Sequence, residues 1–149
     1  METFNISATT VHSVLHIPIK YVNPLRGPSL INLQKVLRNI KYILIDEMSF
    51  IGKNLLMRID SLLRQAFPEN ANIAFCGRSI ILVSDLRQLP CVMDKHPYAL
   101  EGIAKELWNI LTIVVTLDTL FRPNGQSNEH ISFPIFLMNI RDAVPTIED

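Results

Sequence analysis

The sequence predicts an α/β fold, a parallel sheet flanked by helices, and three observations carry that reading. First, Tyr42–Ile45 (YILI), Ser79–Val83 (SIILV) and Thr112–Leu117 (TIVVTL) are short, continuous apolar runs without polar alternation. Such runs read as strands buried on both faces. Second, apolar residues between the runs recur at helical spacing. Third, 48% of the 149 residues are hydrophobic and 19% charged, which is ample for the core of one domain.

The elements follow in order. Leu33, Val36, Leu37 and Ile40 mark a first helix leading into the Tyr42–Ile45 strand. Leu55, Ile59, Leu62, Leu63 and Ala66 line one face of a second helix, stopped by Pro68. Gly77 and Asp85 bound the Ser79–Val83 strand, and a helix over Ile103–Leu111 carries Trp108 toward the core. The Thr112–Leu117 strand comes next, then a helical stretch over Ile131–Arg141. NPLRGPS (Asn23–Ser29), PENAN (Pro68–Asn72) and RPNGQSN (Arg122–Asn128) read as connectors. Helices alternating with buried strands imply a parallel sheet covered on both faces.

Charge and cysteine usage narrow the class. Fourteen basic residues balance fourteen acidic ones, so a nucleic-acid partner would be held by a local patch and not by overall charge. Cys76 and Cys91 make neither a disulfide framework nor a zinc site, which fits a reducing interior. The longest apolar tract, LWNILTIVVTL, is too short to span a bilayer, and METFNISATT lacks the basic start and apolar run of a signal peptide. A soluble, intracellular protein with no membrane partner is the expectation.

The chemistry gathers at strand ends. In open α/β sheets ligands sit outside the carboxyl ends of the strands, and Asp46 and Glu47 fall there, as does Asp85 after the second run. An apolar strand followed by Asp-Glu is the Walker B arrangement, in which the Asp holds Mg²⁺ through water and the Glu polarises an attacking water. The alternative is two acids opening the next helix, where the dipole favours negative charge. SIILVSDLRQLPCV (Ser79–Val92) repeats the logic, with Gln88 three residues past Asp85. An amide there suits a γ-phosphate sensor; a polar turn stopped by Pro90 is the plainer reading. In TLFRPNG, Arg122 follows a buried run and would suit an arginine finger, or simply a surface loop. His12 and His16 have the i, i+4 spacing of a zinc-protease helix, but Ser13 stands where the required Glu would be and no third ligand is suggested. Lys35, Arg38 and Lys41 read as a solvated helix face.

Taken in order, these strings resemble the Pif-type DNA helicases, ATP-driven 5′-to-3′ translocases of superfamily one that include the helicases of Helitron-like transposons. FNISATTVHSVLHIPI (Phe4–Ile19) is similar to the segment after motif Ia, and YILIDEMSFIGKNLLMRIDSLLRQAF to the Walker B strand and its helix. FCGRSIILVSDLRQLPCV is similar to motif III, LFRPN to motif IV, and FPIFLMNIRDAVPTIED to the segment that follows. The resemblance implies a partial RecA-like lobe of a P-loop NTPase, over residues 1–121, with 122–149 as connector and start of the next segment. It implies ATP and Mg²⁺ as cofactors, and single-stranded or forked DNA as partner. Asp46 would hold the metal, Glu47 would be the catalytic base, Gln88 would sense the γ-phosphate, and Arg122 would be the finger. Thr10, His12 and Ser13 would lie along single-stranded DNA, with Leu89 and Pro90 coupling nucleotide state to DNA grip. Roles in repair, recombination and telomere maintenance, in the nucleus rather than the mitochondrion, come by resemblance alone.

The sequence departs from that pattern in places. Ser84, Leu86 and Cys91 stand for the family's Gly, Phe and Pro in motif III, Cys76 for a Gly, and Pro123 for a Gln in motif IV. A serine for glycine at the Ser84 junction is expected to cost backbone freedom. No G-x-x-x-x-G-K-S/T occurs; IGKNLL has the Gly-Lys pair but neither the earlier glycine nor the hydroxyl residue. The expectation is therefore a central fragment of the first motor lobe, inactive alone. A non-catalytic DNA-binding or interaction remnant, or a decayed transposon helicase copy, stands as the alternative.

Overall fold

The computed structural model describes residues 8–17, 24–85, 89, 91–92, 94–96 and 102–117. Met1–Thr112 and Ile113–Asp149 form two units, and all the elements below belong to the first.

Helix α1 (Val11–Val14) is one turn, and Thr10 caps it by accepting from the Ser13 amide at 3.2 Å. Helix α2 (Gly27–Leu37) begins inside the expected connector, because Pro28 in the first turn presets a helical φ and loses no needed donor. Its Leu33 and Leu37 are buried. Strands β1 (Tyr42–Ile45) and β2 (Ser79–Leu82) pair in parallel, in the register Tyr42↔Ser79 to Ile45↔Leu82. Between them runs helix α3 (Lys53–Ala66), the main support of the core: Leu56, Ile59, Leu62, Leu63 and Ala66 form a stripe at most 1% exposed. Fully burying each such leucine or isoleucine contributes about 1.5–3 kcal/mol. Helix α4 (Ile103–Asn109) lays Ala104 and Leu107 into the core, with Trp108 packed half-buried at its edge.

Hydrogen bonds tie the layers. Leu25 N donates to Gln65 Oε1 at 2.8 Å, and Gln34 Nε2 to the Ala66 carbonyl at 2.8 Å, joining α2 to the end of α3. Arg78 reaches back to the Leu37 carbonyl at the end of α2 while lying 3.9 Å over the Phe67 ring. Buried Asp60 accepts from the Phe75 amide at 2.7 Å and from Arg64 Nε at 2.6 Å.

Two expectations are corrected. The strands are not covered on both faces: Ile43, Ile45, Ile80 and Leu82 meet the core, whereas Tyr42, Leu44 and Ile81 are 68%, 61% and 43% exposed. Thr112–Leu117 forms no strand, and Ile113, Val114, Val115 and Leu117 are exposed, since no described strand offers them a ladder. The expected helix over Ile131–Arg141 lies outside the described residues.

Candidate nucleotide and DNA site

At the carboxyl end of β1 the chain makes a sharp, well-bonded reversal. Val83 N donates to the Ile45 carbonyl at 2.9 Å and Met48 N to the Val83 carbonyl at 3.0 Å, so the two strand ends stay together past the ladder. Asp46 and Glu47 sit at this end with exposed side chains. Asp46 Oδ1 accepts from the Glu47 amide at 2.9 Å, leaving its other oxygen for a ligand. Glu47 is left-handed (φ 54°, ψ 49°), a conformation that costs a non-glycine residue on the order of 1 kcal/mol or more. That turn leads the backbone into the 3₁₀ turn Met48–Phe50. Beneath them Ser49 is buried, and its Oγ has no partner among the described residues.

Two departures from the family pattern flank β2, Ser84 past its carboxyl end at this edge and Cys76 before its amino end, and their effects differ. Ser84 is not left-handed; its hydroxyl accepts from Ser49 N at 3.0 Å and so braces the turn below Asp46 and Glu47. The expected loss of backbone freedom at Ser84 is therefore absent. The strain falls at Cys76, where Phe75 (φ 50°), Cys76 (φ 52°) and Gly77 (φ 72°) are left-handed in succession. A glycine is at home there and a cysteine is not. Burial pushes the Cys76 thiol above its usual value, partly opposed by the nearby Arg78 cation. The thiol donates to the Phe67 carbonyl at 3.6 Å.

Sequence reasoning missed a tie between α3 and the loop after β2. IGKNLL is the start of α3, and its N-cap, Gly52, has no capping side chain of its own. Asp94 supplies the cap from a distance: Oδ2 accepts from Asn54 N at 2.8 Å, and Oδ1 from Asn54 Nδ2 at 3.1 Å and from Lys95 N at 2.8 Å. Lys53 N donates to the Lys95 carbonyl at 2.8 Å. A Cβ on Gly52 would stand 2.3 Å from Asp94 Oδ2, so glycine is what admits the carboxylate. An uncapped helix start was the one signal pointing to it.

Of the remaining candidates, Gln88, Pro90 and Arg122 lie outside the described residues. Leu89 is described and 73% exposed. Thr10, His12 and Ser13 are all exposed on α1, with Thr10 Oγ1 donating to Ser13 Oγ at 2.8 Å. His12 and Ser13 also line an open cavity of about 460 Å³ between α1 and the start of α2.

The donor set fits one metal chemistry. Among the described residues no three His, Cys, Asp or Glu gather as a metal cage. Mg²⁺ does not need one: it keeps several waters and uses one or two carboxylates plus substrate phosphates. Asp46, exposed with one oxygen uncommitted, suits that role.

A parallel α/β unit with paired carboxylates at a strand end defines a partial RecA-like lobe. A family model described as PIF1-like helicase matches residues 3–144, and the chain belongs to that family. Among solved structures it is similar to Bacteroides Pif1 bound to single-stranded DNA (22% identity, TM-score 0.62, covering 93% of this chain and 34% of that one). It is also similar to Bacteroides Pif1 helicase with ADP-AlF3 and single-stranded DNA (22%, TM-score 0.62, 92% and 33%). The Pif1 helicase from Candida albicans is a third such relative (22%, TM-score 0.61, 89% and 30%). The chain thus spans about a third of the length of these structures. No curated protein matches it significantly.

Proposed function

We propose that this chain is the central part of the first motor lobe of an ATP-dependent 5′-to-3′ DNA helicase, serving DNA unwinding in repair, recombination and telomere maintenance. The observation that carries the reading is the end of β1, where Asp46 and Glu47 stand exposed beside the bonded end of β2. Membership of the family supports the reaction class, and the relatives solved with DNA and with ADP-AlF3 support the ligands.

In this reading the left-handed turn at Glu47 aims its carboxylate at the water that attacks the γ-phosphate, and that carboxylate takes the water's proton. Asp46 would hold Mg²⁺, and the ion would supply charge stabilisation to the phosphate oxygens. Gln88 senses the γ-phosphate and Arg122 stabilises its developing charge. Thr10, His12 and Ser13 hydrogen-bond the backbone of single-stranded or forked DNA, while Leu89 and Pro90 link nucleotide state to DNA grip. A nuclear setting goes with that work.

No phosphate-loop motif is present among the 149 residues, so the chain by itself is expected to bind single-stranded DNA without appreciable ATP hydrolysis. Fluorescence anisotropy with labelled single-stranded and duplex oligonucleotides, beside a phosphate-release assay, tests both halves. Preference for the single strand is expected, weakened when Thr10, His12 and Ser13 are replaced by alanine. Absence of binding sinks the DNA reading. Robust DNA-stimulated hydrolysis, lost in Glu47→Gln, sinks the claim that the fragment is inactive alone. If DNA binds but Mg·ATP leaves its affinity unchanged, the non-catalytic remnant becomes the better description.

A further inference from the structure

Overall neutrality hides an uneven distribution of charge. Between Glu2 and Asp46 the sequence holds no Asp or Glu, while Lys20, Arg26, Lys35, Arg38 and Lys41 are all cations. Three of them gather at the carboxyl end of α2: Lys35 in its last turn, Arg38 at its C-cap and Lys41 just before β1, each exposed. None of the three enters an ion pair among the described residues, where the single pair is Arg64–Asp60. The helix dipole accounts for cations at this end. It does not account for their apolar neighbours, since Ile31, Val36 and Ile40 are 64%, 51% and 41% exposed on the same segment. Ile31, Lys35 and Arg38 follow at i, i+4 and i+7 as one stripe of the helix, with Asn32 and Val36 in the adjoining row. Leu33 and Leu37 occupy the opposite side and are buried. The outer face of α2 is thus basic and apolar at once, without a carboxylate.

We propose that this face of α2 docks an acidic amphipathic helix of a partner protein. Its carboxylates meet Lys35, Arg38 and Lys41, and its apolar residues cover Ile31 and Val36. Charge complementarity sets the sign of the partner, and the interleaved aliphatics set its class. A nucleic-acid backbone would satisfy the cations and leave Ile31 and Val36 in water. A helix carrying Asp or Glu beside Leu or Phe satisfies both. The patch lies at the amino end of β1, where Ser79 N donates to the Lys41 carbonyl at 2.9 Å, and Asp46 and Glu47 follow the other end of that strand. A partner seated on α2 therefore leaves the two acids open. The inference goes beyond the nucleotide and DNA reading and does not depend on it.

The test selects binders to the full chain from a displayed random-peptide library, then measures the strongest, labelled with fluorescein, by anisotropy. Enriched peptides are expected to carry Asp or Glu among Leu, Ile or Phe at helical i, i+3 and i+4 spacing. Adding the peptide should shift the amide signals of residues 31–41, and raising the salt should weaken binding. Lys35→Glu with Arg38→Glu should weaken it on the order of tenfold, as two exposed attractions become repulsions. Ile31→Ser should weaken it about fivefold through lost apolar burial. Lys105→Glu, the same charge change on an exposed site of α4, should leave it unchanged. Lys35→Gln with Arg38→Gln removes the cations without setting an acid at the helix C-terminus; it should still lose affinity, and it decides the matter if the reversed pair melts early. A library without acidic, apolar winners overturns the proposal, as does equal binding to the wild-type and substituted chains. If a labelled duplex oligonucleotide shifts the same amides and no peptide does, the face belongs to nucleic acid and the proposal falls. If those amides shift when the protein alone is concentrated, a second copy covers α2 and the proposal falls likewise.

Discussion

The two faces of the β1–β2 sheet look alike in sequence and differ in the fold. On one, Ile43, Ile45, Ile80 and Leu82 close against the buried core; on the other, Tyr42, Leu44 and Ile81 stand in the open. Apolar content alone does not decide burial. A β-branched run is compatible with two covers, and among the described residues the chain provides one. The closed face is also where precision collects: the Asp60 bonds, the left-handed turn at Phe75–Gly77, and the cap from Asp94 all hold α3 or its neighbours in place.

The sharpest way to break this comparison is to cut into the closed face. Leu56 has no exposed surface, and Leu56→Ala should cost about 2–5 kcal/mol in urea unfolding, the range for a truncated core leucine. A smaller loss would mean that α3 is less firmly packed than its burial implies. Next comes the strained turn. Cys76→Gly and Cys76→Ala both remove the thiol, but only glycine relieves φ 52°. The glycine variant should therefore be the more stable by roughly 1 kcal/mol, and equal midpoints would remove the strain argument. The same thiol gives a pH signature. Its folded value is raised by burial, so the unfolded chain ionises first. The contribution to stability is whole below the unfolded value near 9.0 and is lost as pH rises from there through the folded value. Cys76→Ala should flatten that alkaline limb.

Asp94→Ala tests whether the distant cap holds α3. A lost N-cap hydrogen bond costs about 1 kcal/mol, and amide exchange should quicken first at Asn54. Unchanged exchange there would assign the cap to another group. Smallest of all is the open face. Leu44→Thr puts a strand-favouring β-branched residue at a 61% exposed site and should move stability by no more than about 0.5 kcal/mol. A loss matching that of Leu56→Ala would mean that the face is covered in solution.

Much of this molecule was legible in the sequence. The helical period of α3, its stop before Pro68, the parallel pairing of YILI with SIIL and the acids at the strand end all follow from local pattern and chain direction. These features depend on neighbours in sequence, which is why periodicity finds them. The bare sheet face and the exposed TIVVTL run were not legible, because each depends on whether a distant partner is present, whereas the early start of α2 had a local signal in Pro28.

The same division runs through the candidate site. Residue order alone determined which side chains could do nucleotide chemistry, since Asp46 and Glu47 must emerge where a buried strand ends. Only the tertiary structure decided that Asp94 caps α3 from a distance of 40 residues, that Ser84 braces the turn under the acids, and that Cys76 sits in a glycine's conformation. A hydrogen bond across the fold leaves no periodic trace in the chain, and a backbone dihedral becomes fixed only when the packing around it is complete.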